Sequence, residues 1–453
     1  MELDLRLGDR MVARAQERDR GRRLSIVYEP DVVAAVGDEI PLLSCSLPTP
    51  GPSTPANARA FLEGLLPEGR ALEAMAASVR GVRLQDGAPA TPRDAALLLA
   101  EYGRECAGAI VIVPAGVDFV PGQGTYRRLD ETDVGRLVRD LPTHPLGADP
   151  DREIRMSLAG AQPKLLLARF GDAWYQPFAG APSTHILKPT VRWPESAANE
   201  ALVMRLAQVV GLTPASVWVE RIDGISVLVA ERYDRRREAT EVVRLHQEDL
   251  CQALGIRPIE KYRIGRPSER IARLLRRLAD SPSDAVRGLL RQVAFRCIVG
   301  DEDGHGKNYS VLLDSGHVNL APLYDSICTL VYPELTGTMA TPIGRQVHLA
   351  KVDSTALIEE AAAMGIPQAE ADRILRALAE NLRKAVTEVD AAFTEGWPSE
   401  MVIDTILARL TRLQSGESMG GPAGTLEPPQ RSTGTTLTKR TALPIEVTES
   451  DPV

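Results

Sequence analysis

The sequence predicts an α+β protein with a small N-terminal module, a β-rich N-terminal lobe and an all-helical C-terminal lobe. Three observations carry this expectation. Short alternating apolar stretches, Leu3, Leu5 and Leu7 and then Leu24 to Tyr28, occupy the start of the chain, and such alternation is strand patterning. Strand-like apolar runs recur at Leu165 to Arg169 and Ile225 to Ala230. Beyond His246 the apolar residues switch to helical spacing, as in Ile271, Leu274, Leu275 and Leu278. The expected boundaries are 1–145 for the module, 146–240 for the first lobe, 241–412 for the second and 413–453 for a tail.

Composition narrows the function classes. The chain has 453 residues, 44% hydrophobic and 25% charged, with a formal charge of −8; this is ordinary for a globular protein and argues against wrapping nucleic acid unaided. No run approaches a membrane span, and Met1 to Arg10 lacks a signal peptide's apolar stretch, so a cytoplasmic protein is expected. Cysteines 45, 106, 251, 297 and 328 are odd in number and widely spaced, a pattern of buried thiols rather than of disulfides or a zinc site. Of 53 basic residues only seven are lysines. A lysine inside a polar cluster therefore stands out, because its compact ammonium suits a phosphate oxygen in a narrow site.

In chain order, residues 1 to about 45 read as an antiparallel meander. Asn57 to Arg80 and Asp94 to Tyr102 have helical spacing, and Ala107 to Val113 is a buried strand. Pro and Gly in 114–124 and again in 142–150 mark the exit from the module. Ser157-Leu-Ala-Gly-Ala-Gln-Pro-Lys164 is a small-residue turn that can present backbone N–H groups to a phosphate, and a simple hairpin explains it as well. Lys188 closes an apolar strand before Pro189. The helix Glu195 to Val210 follows, stopped by Gly211; Glu200 near its start is placed either to pair with Lys188 or to sit exposed in the first turn. The strand Ile225 to Ala230 leads into Glu231-Arg-Tyr-Asp234, a position from which Glu231, Arg232 and Tyr233 can act as a hinge.

Two helices then deliver the most polar loop of the chain. The second, opened by Ser281, Pro282 and Asp284 and carrying Val286, Leu289, Leu290 and Val293, ends at Gly300-Asp-Glu-Asp-Gly-His-Gly-Lys-Asn308. In phosphoryl transfer an Asp accepts the proton of the attacking hydroxyl, a Lys neutralises charge, and an Asn a few residues on holds a metal ion. Asp303, Lys307 and Asn308 have that order. A short strand, Tyr309 to Leu313, a turn at 314–316 and the apolar stretch ending in Tyr324-Asp325 place a second acid where a metal between phosphates needs one. Residues 353 to 412 hold further amphipathic helices, and the Gly, Pro, Ser and Thr-rich tail reads as disordered.

Together, Ser157 to Lys164, Thr184-His-Ile-Leu-Lys188-Pro189, Glu231-Arg-Tyr-Asp-Arg235, His246-Gln-Glu-Asp-Leu-Cys-Gln252, Asp303-Gly-His-Gly-Lys-Asn308 and Tyr324-Asp325 resemble the HipA family of bacterial serine/threonine kinases, the toxin halves of toxin–antitoxin pairs. The resemblance covers roughly residues 1 to 412. It implies a bilobal protein-kinase-like fold that uses ATP and Mg2+, with Asp303 as catalytic base and Asn308 and Asp325 as metal ligands. Lys188 would contact the ATP phosphates together with the loop residues Ala159, Gly160 and Lys164, Lys307 would assist at the γ-phosphate, and His305 would brace the loop beside the nucleotide. Ser157 matches the family's autophosphorylation serine, a built-in off switch. The implied partners are a helix-turn-helix antitoxin of the HipB type, with DNA reached only through it, and a protein substrate of the aminoacyl-tRNA synthetase class. Glu302 adds an acid beside the proposed base, and the long tail lies outside the family core. A small-molecule or lipid kinase and a non-catalytic co-repressor module are the alternatives.

Overall fold

Alternation in the first 28 residues forms the expected meander. In the computed structural model, which describes residues 1–18, 23–50, 53–79, 90–117, 119, 124–149, 153–190, 193–238, 241–264, 266–314, 316–389 and 398–421, strands Glu2–Leu7, Arg10–Arg18 and Arg23–Tyr28 pair antiparallel in sequence. The predicted buried strand becomes Ile110–Pro114 and adds to the free side of the first strand. Leu3 and Leu5 share a core with Phe61 and Leu62 of the helix Pro55–Gly64 and Leu98 of the helix Ala95–Tyr102. Thr54 starts the first of these helices by accepting from the Asn57 N–H, with Pro55 in the first turn, where its missing donor is harmless.

A second sheet has six strands in the spatial order Thr125–Leu129, Ala173–Phe178, Leu165–Phe170, His185–Pro189, Ile225–Glu231 and Val217–Ile222. Thr125–Leu129 pairs with Ala173–Phe178, so residues 125–145, expected in the N-terminal module, build the next lobe instead. The Pro and Gly stretch at 114–124 is the one that separates the two sheets. The strand TYRRL carries too few apolar residues for its sequence to reveal which sheet it joins.

The C-terminal lobe packs helices Pro267–Leu278, Pro282–Val299, Ser354–Ala363, Gln368–Glu388 and Ser399–Gln414 around Leu290, Phe295, Leu382 and Ile406. Helices dominate it, but the all-helical expectation needs amending. His246–Asp249, Ser310–Asp314 and His317–Leu320 make a three-stranded antiparallel sheet, and Thr338–Ile343 pairs with Gln346–His348. The backbone that follows the polar loop is buried and must find hydrogen-bond partners; the distant segment His246–Asp249 supplies them to Ser310–Asp314 on one side, and His317–Leu320 supplies them on the other.

Order also extends past the expected boundary at 413. Met419 is fully buried and its N–H donates to the Val352 carbonyl at 2.8 Å, so the chain folds back onto the lobe after its last helix. The rest of the expected tail, 422–453, lies outside the described residues. All five cysteines are buried free thiols, as expected. Among the described residues no helix is long and apolar enough to cross a membrane.

Candidate active site

Lys188 sits in the buried strand His185–Pro189, and Glu200 in the second turn of the helix Ser196–Val209. The Lys188 ammonium lies 2.8 Å from Glu200 Oε1 and 2.5 Å from Asp325 Oδ1, joining residues from both lobes. Burial works against its charge, but Asp325 and Glu200 outweigh it and hold the ammonium well above the usual lysine range. Asp325 is likewise held well below the carboxylate range in spite of burial, chiefly by Lys188. Glu200 is the weaker claimant on the same ammonium, and burial pushes it up to about 7.

The helix Pro282–Val299 ends at Gly300, whose φ of 85° makes the left-handed turn into the polar loop. Arg296, buried on the last turn of that helix, organises the loop beyond it. Its guanidinium pairs with Asp301 and donates to the carbonyls of Tyr324 (2.5 Å), Asp325 (3.0 Å) and Asn308 (3.2 Å). Asp301 in turn accepts from Ser326 Oγ at 2.9 Å and from the Asp303 N–H at 3.0 Å. One guanidinium thus ties both ends of the loop to the Tyr324-Asp325 turn, where Asp325 holds a φ of 55°, rare for a residue with a β-carbon.

Asp303 is the exposed member, with 53% of its side chain accessible. Burial of its inner side and the nearby charges of Asp301 and Asp325 push its carboxyl up to about 7. Asn308 Nδ2 donates to the Asp303 carbonyl at 2.8 Å, fixing the loop between them. His305 is buried with its ring edge on Tyr262 (5.5 Å between centroids) and Nε2 3.9 Å from Asp303 Oδ1. Burial pushes it down to about 3, so it stands beside the acid as a neutral ring.

The segment Ser157 to Lys164 is held by the N-terminal module. Ser157 is fully buried; its N–H donates to the Glu105 carbonyl and its Oγ to the Leu65 carbonyl at 2.7 Å. The Gly160 carbonyl accepts from the Glu68 N–H at 3.0 Å. Lys164 folds back so that Nζ donates to the Ala159 carbonyl at 2.8 Å, and a β-carbon on Gly160 would lie 2.2 Å from that nitrogen. Gly160 also holds a φ of 116°, a conformation that residues with a β-carbon rarely adopt. Burial outweighs the attraction of Asp325 and pushes Lys164 down to about 8.

Two expected site residues are committed elsewhere. Lys307, expected at the γ-phosphate, has its ammonium 2.6 Å from Asp249 Oδ2, with both side chains buried. In the interior an ammonium needs a partner, and pairing of the strands His246–Asp249 and Ser310–Asp314 brings Asp249 to it, which makes Lys307 a brace for the loop. Arg232, expected at the hinge, puts its guanidinium into a buried cluster with Glu105 and Asp234. Tyr233 stays near the site, its ring 5.8 Å from that of Tyr324 and its hydroxyl donating to Gln247 Oε1 at 2.6 Å; Glu231 is exposed beside it. The sequence reading missed Arg296, Lys261 and Glu105, and quoted Asp249 within a motif without giving it a role. Only Arg296 carries a local signal, a charge inside an apolar helical run five residues before Asp301.

The residues present fit a magnesium ion. Mg2+ usually takes one or two protein oxygen ligands and completes its shell with phosphate and water, and Asp325 with Asn308 offers one carboxylate and one amide. Among the described residues no group of three or more His, Cys, Asp or Glu side chains gathers to enclose a metal, so this ion would depend on its nucleotide. The acids Glu200, Asp301 and Asp325 face Lys188 and Arg296 directly, with Lys164 acting on Asp325 and Lys261 on Asp303 from farther off.

Known proteins resemble this arrangement. A family described as the HipA-like C-terminal domain matches residues 156–386, and the HipA N-terminal domain matches residues 3–113. The protein Y4mE of Sinorhizobium fredii is 38% identical over 80% of this chain and 85% of its own length. The serine/threonine-protein kinase toxin HipA of Shewanella oneidensis is 28% identical over 86% of this chain and 89% of its own. The solved structure of a Shewanella oneidensis toxin–antitoxin complex of HipA, HipB and operator DNA contains a chain that superposes with a TM-score of 0.77 at 25% identity, over 91% of this chain and 97% of that one.

Proposed function

The chain belongs to the HipA family of kinases, and on that premise we propose that it transfers the γ-phosphoryl group of ATP to a serine or threonine of another protein, as a toxin whose action arrests growth. The observation that carries the proposal is the Lys188–Glu200–Asp325 contact across the lobes, next to a half-exposed Asp303 with a raised pKa. Strand lysine, helix glutamate and metal-site aspartate are the three parts a kinase must bring together before phosphoryl transfer.

Asp303 accepts the proton of the acceptor hydroxyl, a role suited to a carboxyl titrating near neutrality. Lys188 orients the phosphates, with Glu200 keeping its ammonium in place. Asp325 and Asn308 are the residues that would hold Mg2+, which when bound supplies charge neutralisation between the phosphates. Ala159, Gly160 and Lys164 cradle the phosphates from above, and Glu231 and Tyr233 flank the adenine end. Arg296 keeps base and ligands in register.

Ser157 is the proposed self-phosphorylation site. A phosphate dianion does not fit where its hydroxyl now meets the Leu65 carbonyl, so the modified loop must leave the module and cannot return, which switches the enzyme off. The relative's complex with HipB and operator DNA supports a helix-turn-helix antitoxin as partner here, with DNA contacted through it; the acidic charge of the chain agrees. An aminoacyl-tRNA synthetase is the substrate class the family resemblance suggests.

The test is labelling of a cell lysate by the purified chain with radioactive ATP. Labelled polypeptides are expected from the wild type and none from Asp303→Asn. Label confined to small molecules would defeat the protein-kinase reading, and persistent labelling by the variant would remove Asp303 from the role of base.

A further inference from the structure

Beside the catalytic loop, residues 258–264 form a ledge whose side chains alternate between anchor and display. Ile264 is buried against the loop: a β-carbon on Gly306 would lie 3.0 Å from its Cδ1. Lys261 is also buried, its ammonium 2.7 Å from Glu68 Oε2 of the N-terminal module and 5.1 Å from the centre of the Tyr262 ring. Between and before these anchors, Ile259 and Tyr262 point to solvent, 77% and 58% exposed. They are the two most exposed large apolar residues among those described, and they lie three positions apart on the same 3-10 turn and its exit. Tyr262 packs on His305, which lies against Asp303. Single exposed apolar residues are ordinary; here two lie three positions apart, and one of them packs on the ring beside Asp303.

The charge around the ledge is equally distinctive. Residues 257–277 hold eight basic and two acidic side chains in a chain whose net charge is −8. Arg263, Arg266, Arg270 and Arg273 of this stretch are all exposed. Polypeptide is favoured over nucleic acid as the occupant because the apolar pair lies next to the carboxylate that would take a hydroxyl proton, and carboxylates on a partner answer the arginines.

We propose that this ledge docks the phosphoacceptor segment of a protein substrate, an acidic segment with an apolar side chain seated on Ile259 and Tyr262 and its carboxylates paired with Arg263 and Arg266. The proposal rests on the protein-kinase reading above and adds the substrate's chemistry to it. Tyr262 and Ile259 determine specificity; the reaction itself belongs to Asp303.

The experiment is a positional-scanning Ser/Thr peptide library offered to the purified full chain with radiolabelled ATP. The wild type should favour acidic flanks and an apolar neighbour over basic flanks by about tenfold or more. Ile259→Ser should raise KM for the best peptide about tenfold with less effect on kcat, and Arg263→Glu with Arg266→Glu should invert the preference to basic flanks, an outcome no misfolded protein can produce. A Glu/Tyr copolymer lacking serine and threonine should compete and an RNA homopolymer should not. The ledge is refuted by a library profile indifferent to flank charge and apolar neighbours, by variants that keep the wild-type profile, by competition from RNA alone, or by ATP turnover with no peptide labelled. Absence of both ATP turnover and labelling in the wild type would instead bring down the kinase reading, and the ledge with it.

Discussion

The cluster around Glu105 and the cluster around Asp303 are both buried assemblies of carboxylates with arginine or lysine, and both join segments far apart in sequence. Around Glu105, the guanidinium groups of Arg232, Arg235 and Arg244 donate at 3.0, 2.8 and 2.6 Å, and Ser183 adds its N–H and hydroxyl. Asp234 takes Arg232 and the Gly108 N–H, both at 2.7 Å. Burial opposes the charge of Glu105, yet Arg235, Arg244 and Arg232 hold it down to about 2. Around Asp303 the balance is reversed: burial and neighbouring acids push Asp303 and Glu200 each up to about 7. The first cluster is neutralised by the protein itself and clasps the N-terminal module to the segment that follows the strand Ile225–Glu231. The second leaves two carboxyls raised among its cations, a pattern that gathers at functional sites.

The contrast can be broken at four points. Glu105→Ala removes the carboxylate that Arg232, Arg235 and Arg244 share and leaves Asp234 to answer Arg232 and Arg235, so it should lower stability by about 3 kcal/mol in urea unfolding; a loss under about 1 kcal/mol would mean the clasp is not what holds the module. Asp325→Asn leaves Lys188 with Glu200 alone, so stability should fall by less than in Glu105→Ala while turnover falls about a hundred- to thousandfold. A parallel loss of stability would make Asp325 a structural residue.

The two clusters also differ in sign against pH. Glu105, depressed in the fold, contributes stability that is present above its unfolded value near 4.3 and lost as pH falls toward about 2. Glu200, raised to about 7, binds a proton in the folded chain that the unfolded chain has already released, so its contribution declines as pH rises from about 4 to 7. Urea midpoints should therefore fall between about pH 4 and pH 7, and Glu200→Gln should flatten that fall; an unchanged slope would show that Glu200 is ionised throughout. The smallest effect is expected at Ser157→Ala, which leaves the Leu65 carbonyl unpaired for about 1 kcal/mol and removes self-phosphorylation while ATP still binds. Mass spectrometry finding the same phosphate on the variant would move the switch elsewhere.

Much of this architecture was legible in the chain. The meander, the helices near 57–80 and 94–102, the Lys188 strand and the apolar helix leading to Gly300 all announced themselves by period, because each buries one face or end. Thr125–Leu129 did not, since a polar strand takes its place from its neighbour. Lys188, Asp303, Asn308 and Asp325 were marked by polar side chains at the ends of apolar elements. Lys307 and Arg232 were marked in the same way and turned out to be braces, because a charge beside a motif looks alike whether it faces a ligand or a buried partner.

The sequence by itself determined the order of the elements, the family, and which few polar residues would be delivered to the mouth between the lobes. These come from local period and from motifs within a few residues of each other. Only the tertiary structure decided which cation each carboxylate meets: Asp249 with Lys307, Glu105 with three arginines, Lys188 shared by Glu200 and Asp325. Charge interactions depend on separation in space and on a local dielectric set by burial, and spacing along the chain encodes neither.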